Sequence, residues 1–409
     1  MSDSIAPEGR PEWPRDLDIG ALKAAGWKPV PFQQFILKVH SRCNLACDYC
    51  YMYELADQSW RDRPVVMSQE TVSASVARIA EHVRRYNIRD IRIVLHGGEP
   101  LLAGTEIIEF LVTRMRTAIR PETRIQFGIQ TNGALLNPKV LDLLKEHNFR
   151  VSVSLDGGES GNDLHRRYRN GQGSYREVSR GIELLRSAPY RQLFSGLLAV
   201  IDLRNDPVQT YEDLSRFDPP RMDFLLPHAT WADPPPEKVD SMSTPYGEWL
   251  IAAFNHWWSK GPSRIDVRFF QTVIQLILGQ RVGSEQLGLE PADLLVIETD
   301  GAIEQIDTLK AAFEGAADTG FHVGRSELSD VLESPGIVAR QIGVAALSKA
   351  CASCRLRDVC GGGQYAHRYR QGSGFRNPSV YCADLIRFID HAKGRVQEQV
   401  DAIVGPRHH

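Results

Sequence analysis

No apolar run in this sequence approaches the ~18 residues that a membrane-spanning helix requires. Its opening, Met-Ser-Asp-Ser-Ile-Ala-Pro-Glu-Gly-Arg-Pro, lacks the apolar core of a secretory signal. Charge of one sign is lacking too. There are 48 Lys and Arg against 51 Asp and Glu, a formal net charge of −3, which gives no global attraction to nucleic acid or to an anionic membrane. Cysteine is scarce, with seven residues among 409, and an odd number argues against a framework built only from disulfides. These absences predict a cytoplasmic protein with no nucleic-acid or membrane partner. What is plentiful is core material: 42% of the residues are apolar, and the length suits about two or three domains.

The middle of the chain has a repeating rhythm. Phe35-Ile36-Leu37-Lys38-Val39 reads as a buried strand, followed by a helix from Ser68 to about Tyr86 whose apolar face carries Val72, Val76, Ile79 and Val83. Further strands are expected at 91–95, 125–129, 151–155, 197–201 and 222–226, with helical stretches between them. Asn137-Pro138 has the chemistry of a helix start. Strands alternating with helices imply a parallel sheet covered by helices. A closed barrel uses eight such units, so six predict an α/β fold with a partial (βα)6 TIM-like barrel. In such folds the chemistry lies at the C-terminal ends of the strands. The rhythm stops near Pro234-Pro235-Pro236. Helices are expected at 245–259, 265–279 and 383–404, and Asp300-Gly301 signals a hairpin between two β-prone runs. The expected organisation is a lead-in over 1–31, the partial barrel over 32–230, a helical bridge over 231–290 and a C-terminal cysteine domain over 291–409.

The cysteines fall into two groups. Cys43, Cys47 and Cys50 stand in a C-x3-C-x2-C run directly after the first strand. Three thiolates on one loop suit three corners of a cubane iron–sulfur cluster and leave the fourth iron open to a small molecule. The alternative is a structural zinc ion with His40 as fourth ligand. The second group is Cys351, Cys354, Cys360 and Cys382, enough to ligate one cubane fully or one structural zinc ion.

The first cysteine run, with His96-Gly97-Gly98-Glu99-Pro100 after the second strand, resembles the radical S-adenosylmethionine (SAM) enzymes. The resemblance implies that the open iron chelates the amino and carboxylate groups of SAM. It further implies that Gly97, Gly98 and Pro100 let the backbone approach its methionine end, and that Glu99 accepts from its ammonium group. Tyr49 is expected against the adenine, Ser154 near the ribose, Arg166 with the cofactor carboxylate, and Asn132 at the end of the third strand among the SAM contacts.

The second group resembles the SPASM domain of peptide-modifying radical enzymes, and implies a C-terminal iron–sulfur SPASM domain here. Two cysteines of the usual SPASM pattern are missing: Ile306 and Gln364 occupy their places. Both belong to the first auxiliary cluster, so two [4Fe–4S] clusters in total are expected, one binding SAM and one auxiliary. The stretches Gly361 to Tyr369, Asn377 to Cys382 and Asp223 to His228 are similar to the FxsB-type subgroup. That resemblance implies a ribosomally made precursor peptide as substrate and a C–C crosslink, a three-residue cyclophane, as product. A proton acceptor is needed, with Asp307, His228 and His367 as candidates. An electron donor such as flavodoxin or ferredoxin is the implied partner. The competing readings are another radical oxidation of a peptide side chain, giving formylglycine or a thioether, and a non-catalytic cluster-bearing scaffold that binds peptide.

Overall fold

A computed structural model describes residues 12–261 and 264–404, so the first part of the expected lead-in lies outside the described residues. Six parallel strands form the centre: β1 (Gln34–His40), β2 (Asp90–Gly97), β3 (Arg124–Thr131), β4 (Arg150–Ser154), β5 (Phe194–Val200) and β6 (Arg221–Leu225), hydrogen-bonded in chain order. This is the expected α/β partial barrel. The two-residue alternation of β1 explains its faces: Phe35, Leu37 and Val39 are fully buried against the helical layer, while Ile36 and Lys38 point to the concave side.

The helices form where the apolar spacing and the caps coincide. Ser68 Oγ accepts from Thr71 N at 3.0 Å and starts the helix Gln69–Arg85. That helix buries Val72, Val76, Ile79 and Val83, each worth ~1.5–3 kcal/mol when taken out of water. Asn137 Oδ1 accepts from Val140 N at 3.1 Å and opens Pro138–Glu146. Among the described residues, no helix is long and apolar enough to cross a membrane.

The sheet does not stop at six strands. β7 (Asp266–Val267) pairs parallel to β6, so the helix expected over 265–279 begins only at Arg268 and ends at Ile277. At the other edge β8 (Leu294–Ile297) pairs parallel to β1, and β9 (Ala302–Glu304) and β10 (Asp318–His322) follow antiparallel. One ten-stranded sheet, β10-β9-β8-β1-β2-β3-β4-β5-β6-β7, therefore runs through the boundaries expected at residues 230 and 290. Pairing between residues some 260 positions apart leaves no mark on a local hydrophobic pattern. The predicted hairpin does form, with Gly301 at φ +95°.

The C-terminal helix Cys382–Val404 packs on Pro245–Lys260 and on the helix that follows β7, through Phe254, Phe269 and Phe388, whose ring centroids lie 5.6–5.7 Å apart. Asp384 is fully buried at the start of that helix. It accepts from Gly247 N at 3.0 Å and from Lys238 Nζ at 2.7 Å, which anchors the second cysteine group to the body of the fold.

Candidate functional site

The loop after β1 carries Cys43, Cys47 and Cys50, all half-buried. Ala46 N donates to Arg167 O at 2.7 Å and Cys50 N to Cys47 O at 3.1 Å, so the loop is held from within and from the segment after β4. Burial pushes the Cys43 thiol up to about 11 and the Cys50 thiol up to about 12, and raises Cys47 as well. Such thiols keep their protons at neutral pH unless a metal centre displaces them.

The spread of the sulfurs separates the two metal readings. Three thiolates on one zinc ion, at ~2.3 Å each, lie within ~4.6 Å of one another. Among the described residues the only trio of ligand atoms within 4.8 Å is Glu298, Glu304 and Asp307, not three cysteines. His40, the fourth ligand of the zinc alternative, has Nδ1 turned to its own loop, 2.9 Å from Arg42 O and 3.2 Å from Arg42 N. Three thiols on one loop suit a polynuclear iron–sulfur centre, and among the described residues no three cysteine sulfurs lie within 4.8 Å of one another as ligands of one zinc ion would.

Gly97 and Gly98 serve the protein first. A Cβ at Gly97 would run into the His40 carbonyl, and one at Gly98 into the Tyr53 hydroxyl and the Arg42 carbonyl. Their absence lets Gly98 N donate to His40 O and Glu99 N to Arg42 O, both at 3.0 Å, which clamps the turn after β2 onto the cysteine loop. Glu99 is fully buried. Its Oε1 accepts from Leu101 N (3.0 Å) and Thr131 Oγ1 (2.7 Å), and Oε2 from Asn132 N (2.7 Å). Three of its lone pairs are thus committed to tying the ends of β2 and β3 together, a structural duty that the sequence reading did not foresee. Burial raises its pKa against these donors. Pro100 is buried and opens the short turn Pro100–Ala103.

The remaining expected cofactor contacts gather at the same strand ends. Asn132 Nδ2 donates to Asn44 Oδ1 at 2.8 Å and lies 3.7 Å from Cys43 Sγ. Ser154 Oγ accepts from Gln130 Nε2 at 2.9 Å. The Tyr49 hydroxyl donates to Asp156 and accepts from Arg166 Nη1 at 2.9 Å. Asp156 also accepts from Val200 N at 2.9 Å, so it joins the cysteine loop to the end of β5. Arg166 is 7% exposed, and its Nε has no partner among the described residues. A buried guanidinium with an unmet donor beside Cys47 suits an anionic ligand.

A buried charge network, missed in the sequence reading, closes one side of the site. Lys38 Nζ lies 2.9 Å from Asp307 and 3.8 Å from Glu298; Lys310 Nζ lies 3.0 Å from Glu298 and 2.9 Å from Glu304. Arg63 pairs with Glu304 at 3.0 Å and with Asp300 at 2.6 Å. The register places these groups together, because Lys38 stands opposite His96 on β2 while Leu37 stands opposite Ile297 on β8. Burial works against the Glu298 charge, yet Lys38, Lys310 and Arg63 hold its carboxyl far below the usual range. Burial and the Glu298 charge push Glu304 upward. The ammonium groups stand where a cation would, so the carboxylate trio needs no metal ion. A lysine inside the apolar run of β1 was the one sequence signal for this network.

The three candidate bases face one region. Asp307 Oδ2 is 3.7 Å from His96 Nδ1, and Asp307 acts electrostatically on Tyr51 and His228. His228 meets Tyr51 edge to face at 4.6 Å and His367 at 5.8 Å. Burial pushes His228 down to about 4, and burial with the charges of His228 and Arg368 holds His367 well below the usual imidazole range. Tyr51 and His228 line a cavity of about 1010 Å³ whose wall includes Ile306, Gln364 and Tyr365. Both positions of the missing cysteine pair stand in the cavity wall.

In the second group Cys351 is buried and Cys354, Cys360 and Cys382 are half-buried. Burial pushes Cys360 up to about 12, with Cys382 and Cys351 adding their charge. Gly361, Gly362 and Gly363 all have positive φ (+60°, +85°, +71°), which folds the chain back sharply after Cys360. The buried Arg368 donates to Gly361 O at 2.7 Å and to Gly363 O at 2.6 Å and places its charge near Cys360 and Cys351. Four thiolates beside a guanidinium with no carboxylate partner fit an anionic cluster.

Residues 37–214 match the family model of the Radical SAM superfamily. The chain is 25% identical over 380 residues to the serine-type anaerobic sulfatase-maturating enzyme of Klebsiella aerogenes, covering 90% of this chain and 87% of that protein. It is 23% identical over 376 residues to the cysteine-type anaerobic sulfatase-maturating enzyme of Clostridium perfringens, covering 90% and 97%. Among solved structures, native anSMEcpe with bound AdoMet superposes with a TM-score of 0.77 at 21% identity, over 90% of this chain and 99% of that one. Streptococcus suis SuiB bound to precursor peptide SuiA gives 0.58 at 16% identity, over 89% and 78%. At these identities the superpositions establish the fold alone. The three cysteines after β1 and Gly-Gly-Glu-Pro after β2 both fall within residues 37–214, the span that matches the Radical SAM superfamily model.

Proposed function

We propose that this chain is a radical SAM maturase that oxidises a side chain of a ribosomally made peptide. The observation that carries the reading is the clamp of the Gly-Gly-Glu-Pro turn after β2 onto the three-cysteine loop after β1, inside the span that matches the Radical SAM superfamily. A cavity of about 1010 Å³ takes Tyr51 and His228 into its wall and extends to the N-terminal ends of β1, β2 and β6 at Gln34, Arg92 and Arg221. Relatives covering 90% of the chain are named as sulfatase-maturating enzymes, and a structural neighbour is titled as holding a precursor peptide.

Cys43, Cys47 and Cys50 would hold three irons of a [4Fe–4S] cluster, and SAM would complete the fourth. Bound together, these groups supply a 5′-deoxyadenosyl radical that abstracts a substrate hydrogen. The chain's own residues do the rest. Arg166, with its free Nε, Asn132 and Ser154 orient the cofactor, while Glu99 keeps the turn of Gly97 and Gly98 in place. Asp307 takes the proton released on oxidation. It is favoured over His228 and His367 because, among the described residues, it alone of the three is anchored by an ion pair, with Lys38 Nζ at 2.9 Å. Cys351, Cys354, Cys360 and Cys382 would hold one auxiliary cluster, and Ile306 and Gln364 leave no ligands for another. Flavodoxin or ferredoxin would deliver electrons.

Two products fit this chemistry. A cyclophane crosslink follows from the FxsB-type stretches, and formylglycine from the sulfatase-maturating relatives. Cyclophane formation and serine oxidation both remove two hydrogens, so mass alone does not separate them. The test is co-expression with a short aromatic-containing candidate precursor peptide, then tandem mass spectrometry and an aldehyde-reactive hydrazide. We expect loss of two hydrogens, no hydrazide adduct and missing fragment ions between the joined residues. A hydrazide adduct selects formylglycine, and an unchanged peptide with no deoxyadenosine formed rejects the maturase reading.

A further inference from the structure

Four ring side chains run in succession through the interior. Tyr51 follows Cys50 directly in the chain, and Tyr381 precedes Cys382. Between them the ring centroids are 4.6 Å apart from Tyr51 to His228, 5.8 Å from His228 to His367 and 4.9 Å from His367 to Tyr381. His367 and Tyr381 are fully buried, while Tyr51 and His228 form part of the cavity wall. The tyrosine at the far end is fixed by its hydroxyl, which donates to Pro227 O at 2.8 Å.

We infer that Tyr51, His228, His367 and Tyr381 are an electronic bridge between the two cysteine groups. This rests on the proposed function, in which each group holds an iron–sulfur centre. Electron tunnelling weakens steeply with each gap between donor and acceptor, so rings in near-contact couple two centres more strongly than the same span of aliphatic packing. The two imidazoles support the assignment by what they leave unused. His228 Nδ1 and His367 Nε2 are buried and have no hydrogen-bond partner among the described residues. Histidines kept for structure satisfy those nitrogens; the contacts made here are ring contacts. One electron moves and no atom travels along the rings. A carbon-centred substrate radical is oxidised by one electron and loses its proton to Asp307. The iron–sulfur centre on Cys351, Cys354, Cys360 and Cys382 is reduced by that electron.

The test uses the reconstituted holoenzyme, a photoreduced deazaflavin as one-electron donor, and freeze-quench electron paramagnetic resonance to follow the electron between the two centres. His228→Leu and Tyr381→Leu each break one link, at separate places, so a folding defect in one leaves the other informative. His228→Phe and Tyr381→Phe keep a ring at each link. We expect the leucine variants to slow exchange between the centres by an order of magnitude or more, and the phenylalanine variants to stay within a few-fold of the parent. Two normal centres whose exchange is the same in leucine and phenylalanine variants overturn the bridge alone. A parent protein in which one centre does not assemble overturns both the bridge and the reading beneath it.

Discussion

Replacing Lys38 by methionine removes the ammonium that pairs directly with Asp307. Lys38 Nζ lies 2.9 Å from Asp307 with both side chains at least 95% buried. The other basic neighbour of Asp307 is His96 at 3.7 Å, and burial pushes that imidazole down to about 4, so it is neutral at pH 7. Glu298 keeps Lys310 at 3.0 Å after the substitution, whereas Asp307 keeps nothing comparable. Methionine keeps an apolar stem but not the ammonium, which also donates to Met52 Sδ at 3.1 Å. Breaking one partner of a buried ion pair costs ~3–5 kcal/mol, because the other charge is left in a poorly polarisable interior. We expect Lys38→Met to lose ~4 kcal/mol in urea unfolding of the apoprotein at pH 7. Lys38→Met/Asp307→Asn removes the stranded charge as well and should recover ~2 kcal/mol of the loss, a coupling typical of residues in contact. In the holoenzyme the single variant should still form deoxyadenosine while product yield collapses. A single-variant cost below ~1 kcal/mol, or a double variant no more stable than the single, refutes the idea that this pair organises the site.

Glu99→Gln keeps the shape but turns one acceptor of the β2–β3 clamp into a donor facing Asn132 N. It should cost ~1–3 kcal/mol in apoprotein unfolding and weaken SAM binding, measured by equilibrium dialysis. Gly98→Ala forces a methyl group into the Tyr53 hydroxyl and the Arg42 carbonyl, and should abolish both iron binding by the first cysteine group and deoxyadenosine formation. Cys382→Ala should lower the iron content after anaerobic reconstitution by about four atoms per chain, and an unchanged content removes Cys382 from the ligand set. His82 is 2% exposed, and burial pushes it down to about 4. The unfolded chain therefore binds the extra proton first, and the folded state loses ~1.4 kcal/mol per pH unit from this group as pH falls from about 6.5 toward 4. His82→Gln should flatten that part of the stability profile by the same amount, read from urea midpoints at pH 7 and pH 5.

Much of the fold was legible because its determinants are local. The two-residue alternation of β1 and the caps at Ser68 and Asn137 each act within one turn or strand, and these elements form where their residues predict. The cysteine runs and Gly-Gly-Glu-Pro were legible for a similar reason: ligands on one short loop must be close in space. Register with the sheet then put both motifs at adjacent strand ends.

What the sequence by itself determined is which chemistry the chain can host: seven thiols in two groups, a glycine-rich turn, and a rhythm of strands and helices. Tertiary structure alone decided how those groups are served. It paired β8 with β1 and so brought Glu298, Glu304 and Asp307 to Lys38. It saturated Glu99 with backbone donors, and it threaded Tyr51, His228, His367 and Tyr381 from one cysteine group toward the other. The physical reason is range. Propensity, capping and ligand spacing act over a few residues, whereas buried charges and stacked rings are matched only when segments hundreds of residues apart share one interior.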